Sequence, residues 1–148
     1  MKVCVFGANG MLGHKICERL LKGNNFELYP IVRSAAAKEQ ILTNLKNNEI
    51  QLIRYDESNI RQLLELLRPD FVINCVGVLK KVADNHLSNL CYYNAYFPHM
   101  LKSLCQNIGN MRLITFSTDC VFDGMAMHPY GVDSAATPSD AYGMSKFL

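Results

Sequence analysis

The stretch Val3-Cys4-Val5-Phe6-Gly7-Ala8-Asn9-Gly10-Met11-Leu12-Gly13 decides the fold. Its first four residues are a continuous apolar run, the pattern of a strand buried on both faces. Gly7, Gly10 and Gly13 follow with the spacing GxxGxxG, between that strand and a segment of helical periodicity. Each glycine has a mechanical task. The first permits a tight turn, the second lets backbone approach a pyrophosphate, and the third lets helix pack close to strand. A phosphate there would meet the unpaired N–H groups and the positive dipole end of the helix. Gly7, Asn9, Gly10, Met11, Leu12 and Gly13 are therefore the candidate cradle for a dinucleotide. His14 and Lys15, next in line, read as solvent-facing.

Outward from this turn, strand and helix alternate. Met11, Leu12, Ile16, Leu20 and Leu21 recur at helical spacing until Gly23-Asn24-Asn25. Phe26 to Val32 predicts a second strand, residues 34–48 a helix, and Ile50 to Ile53 a third strand. Ser58 reads as the N-cap of a helix whose face is Ile60, Leu63, Leu64, Leu66 and Leu67, closed by Pro69. Phe71 to Val76 predicts a fourth strand, Leu87 to Ile108 a long helix, and Leu113 to Phe116 a fifth strand. The segment 123–139 holds Gly124, Pro129, Gly131 and Pro138 and reads as an ordered loop. Alternation without a hairpin signal forces crossover connections, so the expected fold is α/β, a doubly wound parallel sheet with helices on both faces.

Composition narrows the function. The 148 residues are 49% hydrophobic and 19% charged with a net charge of +2, and the longest basic run is Lys80-Lys81. That balance argues against a nucleic-acid partner. Cys4, Cys17, Cys75, Cys91, Cys105 and Cys120 are scattered, with no CxxC pair and no metal-ligand spacing. No export signal and no membrane-length apolar stretch is visible, so a reduced, cytoplasmic protein with no membrane partner is the expectation.

Cofactor preference turns on the end of the second strand. An NAD site usually carries an acidic residue there, whereas this chain has Arg33-Ser34. A guanidinium suits a 2′-phosphate, which favours NADP with NAD as the alternative; the competing reading is an arginine that points into solvent. Asp56, after the third strand, could accept from an adenine amino group or be a solvated loop aspartate.

Further on come Ser117-Thr118-Asp119-Cys120-Val121-Phe122-Asp123-Gly124, Pro129-Tyr130 and Tyr142-Gly143-Met144-Ser145-Lys146. Together with the opening glycines, the pattern STDxVFDG, Pro-Tyr and YGxSK resembles the extended short-chain dehydrogenase/reductases. Within them it is similar to the dTDP-4-dehydrorhamnose reductase group. The resemblance implies NADP-dependent reduction of a 4-keto nucleotide-sugar, in polysaccharide biosynthesis. It implies that Tyr142 donates the proton and lies against the cofactor, that Lys146 tunes it and binds the nicotinamide ribose, and that Thr118 hydrogen-bonds the substrate oxygen, with Ser117 as fallback. Tyr142 and Lys146 at i and i+4 share a helix face, and a nearby ammonium favours phenolate. Cys75, Val76 and Gly77 resemble the family's fourth-strand cofactor segment, and Asn94 its helix asparagine. Lys80 and Lys81 could meet a substrate phosphate or simply be solvated. A homodimer through the long helix and the Tyr142 helix is a further implication.

Residues 1–148 thus read as one NAD(P)-binding Rossmann domain, C-terminally truncated with no substrate domain, ending within the YxxxK helix. A helix cut there is expected to fray and to hold Tyr142 and Lys146 poorly. Two other functions stay open: a non-catalytic dinucleotide-binding regulatory subunit, like that of methionine adenosyltransferase, and a nucleotide-sugar epimerase or dehydratase.

Overall fold

A computed structural model describes residues 1–23, 25–34, 52–80 and 87–148. They fall into two compact units, Met1–Val76 with Leu101–Thr115, and Gly77–Met100 with Phe116–Leu148.

The first unit is built on strands β1 (Lys2–Phe6), β2 (Glu27–Val32), β3 (Ile53–Arg54), β4 (Phe71–Asn74) and β5 (Arg112–Thr115). Every pairing is parallel, and the order is β3-β2-β1-β4-β5. Strand order reverses between β1 and β4, which opens a crevice at the carboxyl ends of those strands. The expected doubly wound sheet is therefore present.

Alternation along β1 splits the core in two. Val3 and Val5 join Ala8, Cys17, Leu28, Val32 and Ile73, against Ile16, Leu20 and Leu21 of helix α1 (Met11–Leu21). On the opposite face Phe6 meets the ring of Tyr55 edge-on, with centroids 5.3 Å apart. Complete burial raises the Cys4 and Cys17 thiols to about 12, so both act as small hydrophobes at neutral pH. Among the described residues all cysteines are free thiols.

Several sequence expectations shift. The buried positions of α1 are Gly13 and Cys17, one turn apart, while Met11 is 87% and Leu12 43% exposed. Helix α2 spans Ile60–Leu67 and buries Ile60, Leu64 and Leu67; Leu66 lies two residues from Leu64, hence on the other side, and is 80% exposed. Ser58 does not cap α2. Its N–H and hydroxyl both donate to Asp56 Oδ1, and Asn59 precedes the helix instead. The third strand is Ile53–Arg54, and residues 35–51, which carry the expected helix and the start of that strand, lie outside the described set. Strand β5, expected over Leu113 to Phe116, spans Arg112–Thr115, lies at one edge of the sheet and is mostly exposed.

Arg68 ends α2 in the left-handed region with φ 46°, a conformation that costs a non-glycine residue about 1–2 kcal/mol. Its side chain offsets that cost by closing two helix ends: Nε donates to Glu65 O and a guanidinium nitrogen to Ile108 O.

In the second unit, α3 (Leu87–Leu90) runs into a π-helical segment, Cys91–Tyr96, and then α4 (Phe97–Ile108), whose residues from Leu101 on belong to the first unit. The long helix is as expected but its widened turn is not. Pro98 explains it: the ring lacks an N–H and would clash with the carbonyl four residues back, at Asn94. Opening that turn relieves the clash, and Phe97 N–H reaches Tyr92 O, five residues away. Helix α5 (Ala141–Phe147) carries Tyr142 and Lys146. Leu148 N–H bonds Met144 O, and the His99 ring meets Leu148 O at 2.7 Å.

Candidate functional site

The glycine turn is tight enough to be tested position by position. Gly7 has φ +73°, and a Cβ on it would stand 3.0 Å from the backbone of Cys75 and Val76. A Cβ on Gly13 would stand 2.3 Å from Gly7 O, so helix and turn touch backbone to backbone. A Cβ on Gly10 would meet only Gly7 O, at 3.3 Å. The amides of Gly7 and Ala8 are spent on Ile31 O and that of Gly10 on Gly7 O. His14 N–H is the first to bond within α1, to Gly10 O. The N–H groups of Met11, Leu12 and Gly13 therefore lie at the helix N-terminus, with no side-chain cap at Gly10 and no acidic residue in the first turn. That geometry fits a pyrophosphate. Asn9 is exposed at the same turn.

At the ends of β2 and β3, Arg33, Tyr55, Asp56 and Glu57 line one cavity of about 350 Å³. Tyr55 N–H bonds Val32 O at 2.9 Å, which holds the two strand ends together. Bonds from the Ser58 hydroxyl and N–H hold the Asp56 carboxyl below its ordinary value. Cys75 and Val76 follow β4: Cys75 N–H bonds Phe6 O, and Val76 N–H bonds Asn74 Oδ1. Burial pushes the Cys75 thiol up to about 11, so it packs as a neutral group.

Within the second unit, Asn94, Gly77 and Lys146 converge. Asn94, 4% exposed in the widened turn, accepts from Val78 N–H and donates to Val78 O and to Ser145 Oγ. Both amide hydrogens are thereby used. Asn94 thereby pins the segment after β4 to α5. The Ser145 hydroxyl in turn donates to Tyr142 O. A Cβ on Gly77 would stand 3.2 Å from both Asn94 Oδ1 and Lys146 Nζ, so only glycine leaves these two groups where they are. Lys146 Nζ donates to Phe116 O at 3.4 Å, and desolvation lowers its pKa. Tyr142 is half-buried one turn before it.

The STDxVFDG stretch divides its labour. Ser117 is exposed; Thr118 is half-buried, accepts from Cys120 N–H and donates to Asp119 Oδ1. Asp123 accepts from Met125 N–H and from the Tyr130 hydroxyl, while the rings of Phe122 and Tyr130 stack at 4.3 Å. VFDG and Pro-Tyr therefore fold the loop. A cavity of about 600 Å³ lies here, lined by Lys80, Asp119, Cys120, Phe122, Asp123, Tyr130 and Asp140 among others. Lys80 Nζ pairs with Asp140 Oδ2 at 2.6 Å; Lys81 lies outside the described residues.

Asp140 also caps α5, accepting from Gly143 N–H at 2.7 Å. That bond first, then Lys80, holds its carboxyl below the ordinary value. A lowered folded-state pKa stabilises above the unfolded value and the gain vanishes as pH falls through the folded one. Melting temperature should therefore hold from neutral pH down to about 5 and drop below about 4. Asp140→Asn should start lower at neutral pH and converge with the wild type in acid. Parallel melting curves at every pH would contradict this role.

Among the described residues no helix is long and apolar enough to cross a membrane, and no cluster of side chains could hold a metal. The chain is 28% identical over 146 residues to methionine adenosyltransferase 2 subunit beta of Danio rerio, covering 98% of this chain and 41% of that protein. It is 28% identical over 149 residues to dTDP-4-dehydrorhamnose reductase of Burkholderia thailandensis, covering 100% of this chain and 44% of that one. Among solved structures it superposes, with a TM-score of 0.79 and 26% identity, on UDP-glucuronic acid 4-epimerase of Bacillus cereus in complex with NAD, over 99% of this chain and 49% of that one. The chain thus spans under half the length of these relatives. The model of the RmlD substrate binding domain matches residues 1–148, and the chain belongs to that family.

Proposed function

We propose that this chain carries the cofactor cradle and the proton donor of an NADP-dependent reductase acting on a 4-keto nucleotide-sugar. The observation that carries the reading is the opening turn, where Gly13 tolerates no side chain and the first helical N–H groups are left for an anion. A bound nicotinamide dinucleotide supplies the hydride that a carbonyl reduction needs. Gly7 to Gly13 hold its pyrophosphate, Arg33 its 2′-phosphate, and Asp56 accepts from the adenine amino group. Tyr142 gives its phenolic proton to the carbonyl oxygen as negative charge develops there. Lys146 favours the phenolate left behind and hydrogen-bonds the nicotinamide ribose. Thr118 donates to the substrate oxygen after turning its hydroxyl from Asp119, with Ser117 the nearest substitute. Asn94 and Gly77 keep Lys146 in register.

The likeness to a subunit of methionine adenosyltransferase favours a second reading, a dinucleotide-binding regulatory subunit without turnover. The two separate in one assay. Mixing the protein with NADPH and a dTDP-4-keto-6-deoxy sugar should consume NADPH absorbance and yield the reduced sugar. Tight NADPH binding with no consumption would leave the regulatory reading standing.

A further inference from the structure

Among the described residues three polar side chains are buried, and two of them, Asn94 and Ser145, bond each other at 3.1 Å. A serine hydroxyl has one hydrogen and two lone pairs. Ser145 gives its hydrogen to Tyr142 O at 2.8 Å, one turn back in α5, and accepts from Asn94 Nδ2. Asn94 is itself fixed by backbone: it accepts from Val78 N–H at 2.8 Å and donates to Val78 O at 3.0 Å. It therefore offers α5 a hydrogen of set direction. With about 3.6 residues to a turn, Ser145 stands to one side of the face that Tyr142 and Lys146 share. A bond at that place resists rotation of α5 about its own axis. At a helix radius of about 5–6 Å, a rotation of about 10° carries a side-chain tip about 1 Å. Tyr142 and Lys146 would move together. Gly77 shows how little room there is, since a Cβ on it would stand 3.2 Å from both Asn94 Oδ1 and Lys146 Nζ. The amide that Ser145 holds and the ammonium thus flank one glycine.

Resting on the reductase reading above, we propose that Ser145 is a positioning residue: its bond to Asn94 sets the rotation of α5, and with it where the Tyr142 phenol and the Lys146 ammonium face a bound substrate. Displacing a reacting group by about 1 Å can cost about 10²-fold in rate. Helix propensity gives serine no reason to stand here, because alanine is the better helix former. Most of the dinucleotide is held elsewhere, at the opening turn and the end of β2, so Ser145 acts on the chemical step more than on affinity.

The test compares wild type, Ser145→Ala, Ser145→Cys, Asn94→Ala and the double variant. Three quantities are measured: NADPH-dependent reduction of a dTDP-4-keto-6-deoxy sugar, calorimetric NADPH affinity, and labelling of each lysine by acetic anhydride, read by mass spectrometry. Ser145→Ala should lower kcat about ten- to thirtyfold, with KM and NADPH affinity within about threefold of wild type. Ser145→Cys keeps the volume and weakens both bonds, so it should fall between. Labelling of Lys146 should rise as its ammonium leaves Phe116 O, while exposed Lys102 labels as before. With Asn94 already replaced by alanine, losing the hydroxyl should add nothing, because its partner is gone. Wild-type kcat and labelling in both serine variants would overturn the role. So would a lower melting temperature with every lysine labelled faster in parallel, the mark of a merely structural residue. A wild type that binds NADPH without turnover would remove the reductase reading alone, since the labelling comparison still decides whether Ser145 places Lys146.

Discussion

Gly143→Ala should be the most damaging single methyl group in the second unit. An added Cβ would stand 2.1 Å from Cys120 O and 3.2 Å from Pro138 Cβ. Backbone faces backbone at the closest contact, so no rotamer can relieve it. Overpacking of this kind costs about 3 kcal/mol or more. It would push α5 off the 3₁₀ turn Asp119–Val121 and loosen the Asp140 cap. Melting temperature should fall by roughly 6–12 °C for a chain of this size. Gly131→Ala supplies the control, since nothing lies within 4 Å of its Cβ position. If the two variants melt together, the close approach of α5 to that turn is not what the glycine in YGxSK provides.

Tyr142→Phe carries the second large effect. Removing one oxygen leaves the ring packing of a half-buried residue untouched and takes away the proton donor. Loss of general-acid assistance lowers the rate of sugar reduction about 10²- to 10⁴-fold. NADPH affinity should be unchanged, because the cradle lies in other residues. A Phe variant that turns over at the wild-type rate would remove Tyr142 from the chemistry. One that loses cofactor binding would make it a structural residue instead. Lys146→Ala should lower both rate and stability, since its ammonium also holds Phe116 O.

The sheet was legible because its signals are local. Val3 to Phe6 and Phe71 to Asn74 are short apolar runs bounded by breakers, and parallel pairing follows from the lack of hairpins. The glycine turn was legible for a related reason: its backbone geometry leaves almost no choice of residue at Gly7 and Gly13. Helix faces were harder to place. Met11 and Leu66 fit the apolar period, yet only tertiary packing decides which apolar residues of a short helix point inward.

What the sequence hid were partners distant along the chain. Nothing near Asn94 announces that its amide bonds both Val78 and Ser145, the latter 51 residues beyond Asn94. Pro98 did carry a signal: a proline eleven residues into a helix must be accommodated, and a widened turn at Asn94 is one way to do it. Likewise Lys80 reads as a loop cation until Asp140 is found against it. Ser58 has the composition of a cap, but the carboxylate of Asp56 competes for it first.

One titration bears most directly on the central claim, that the turn from Gly7 to Gly13 grips a pyrophosphate. NADPH at about one hundred times its dissociation constant should raise the melting temperature of this chain by roughly 5–10 °C. Gly13→Ala, whose Cβ would fall 2.3 Å from Gly7 O, should abolish that rise. A wild-type melting curve that NADPH and NADH both leave in place would contradict the account.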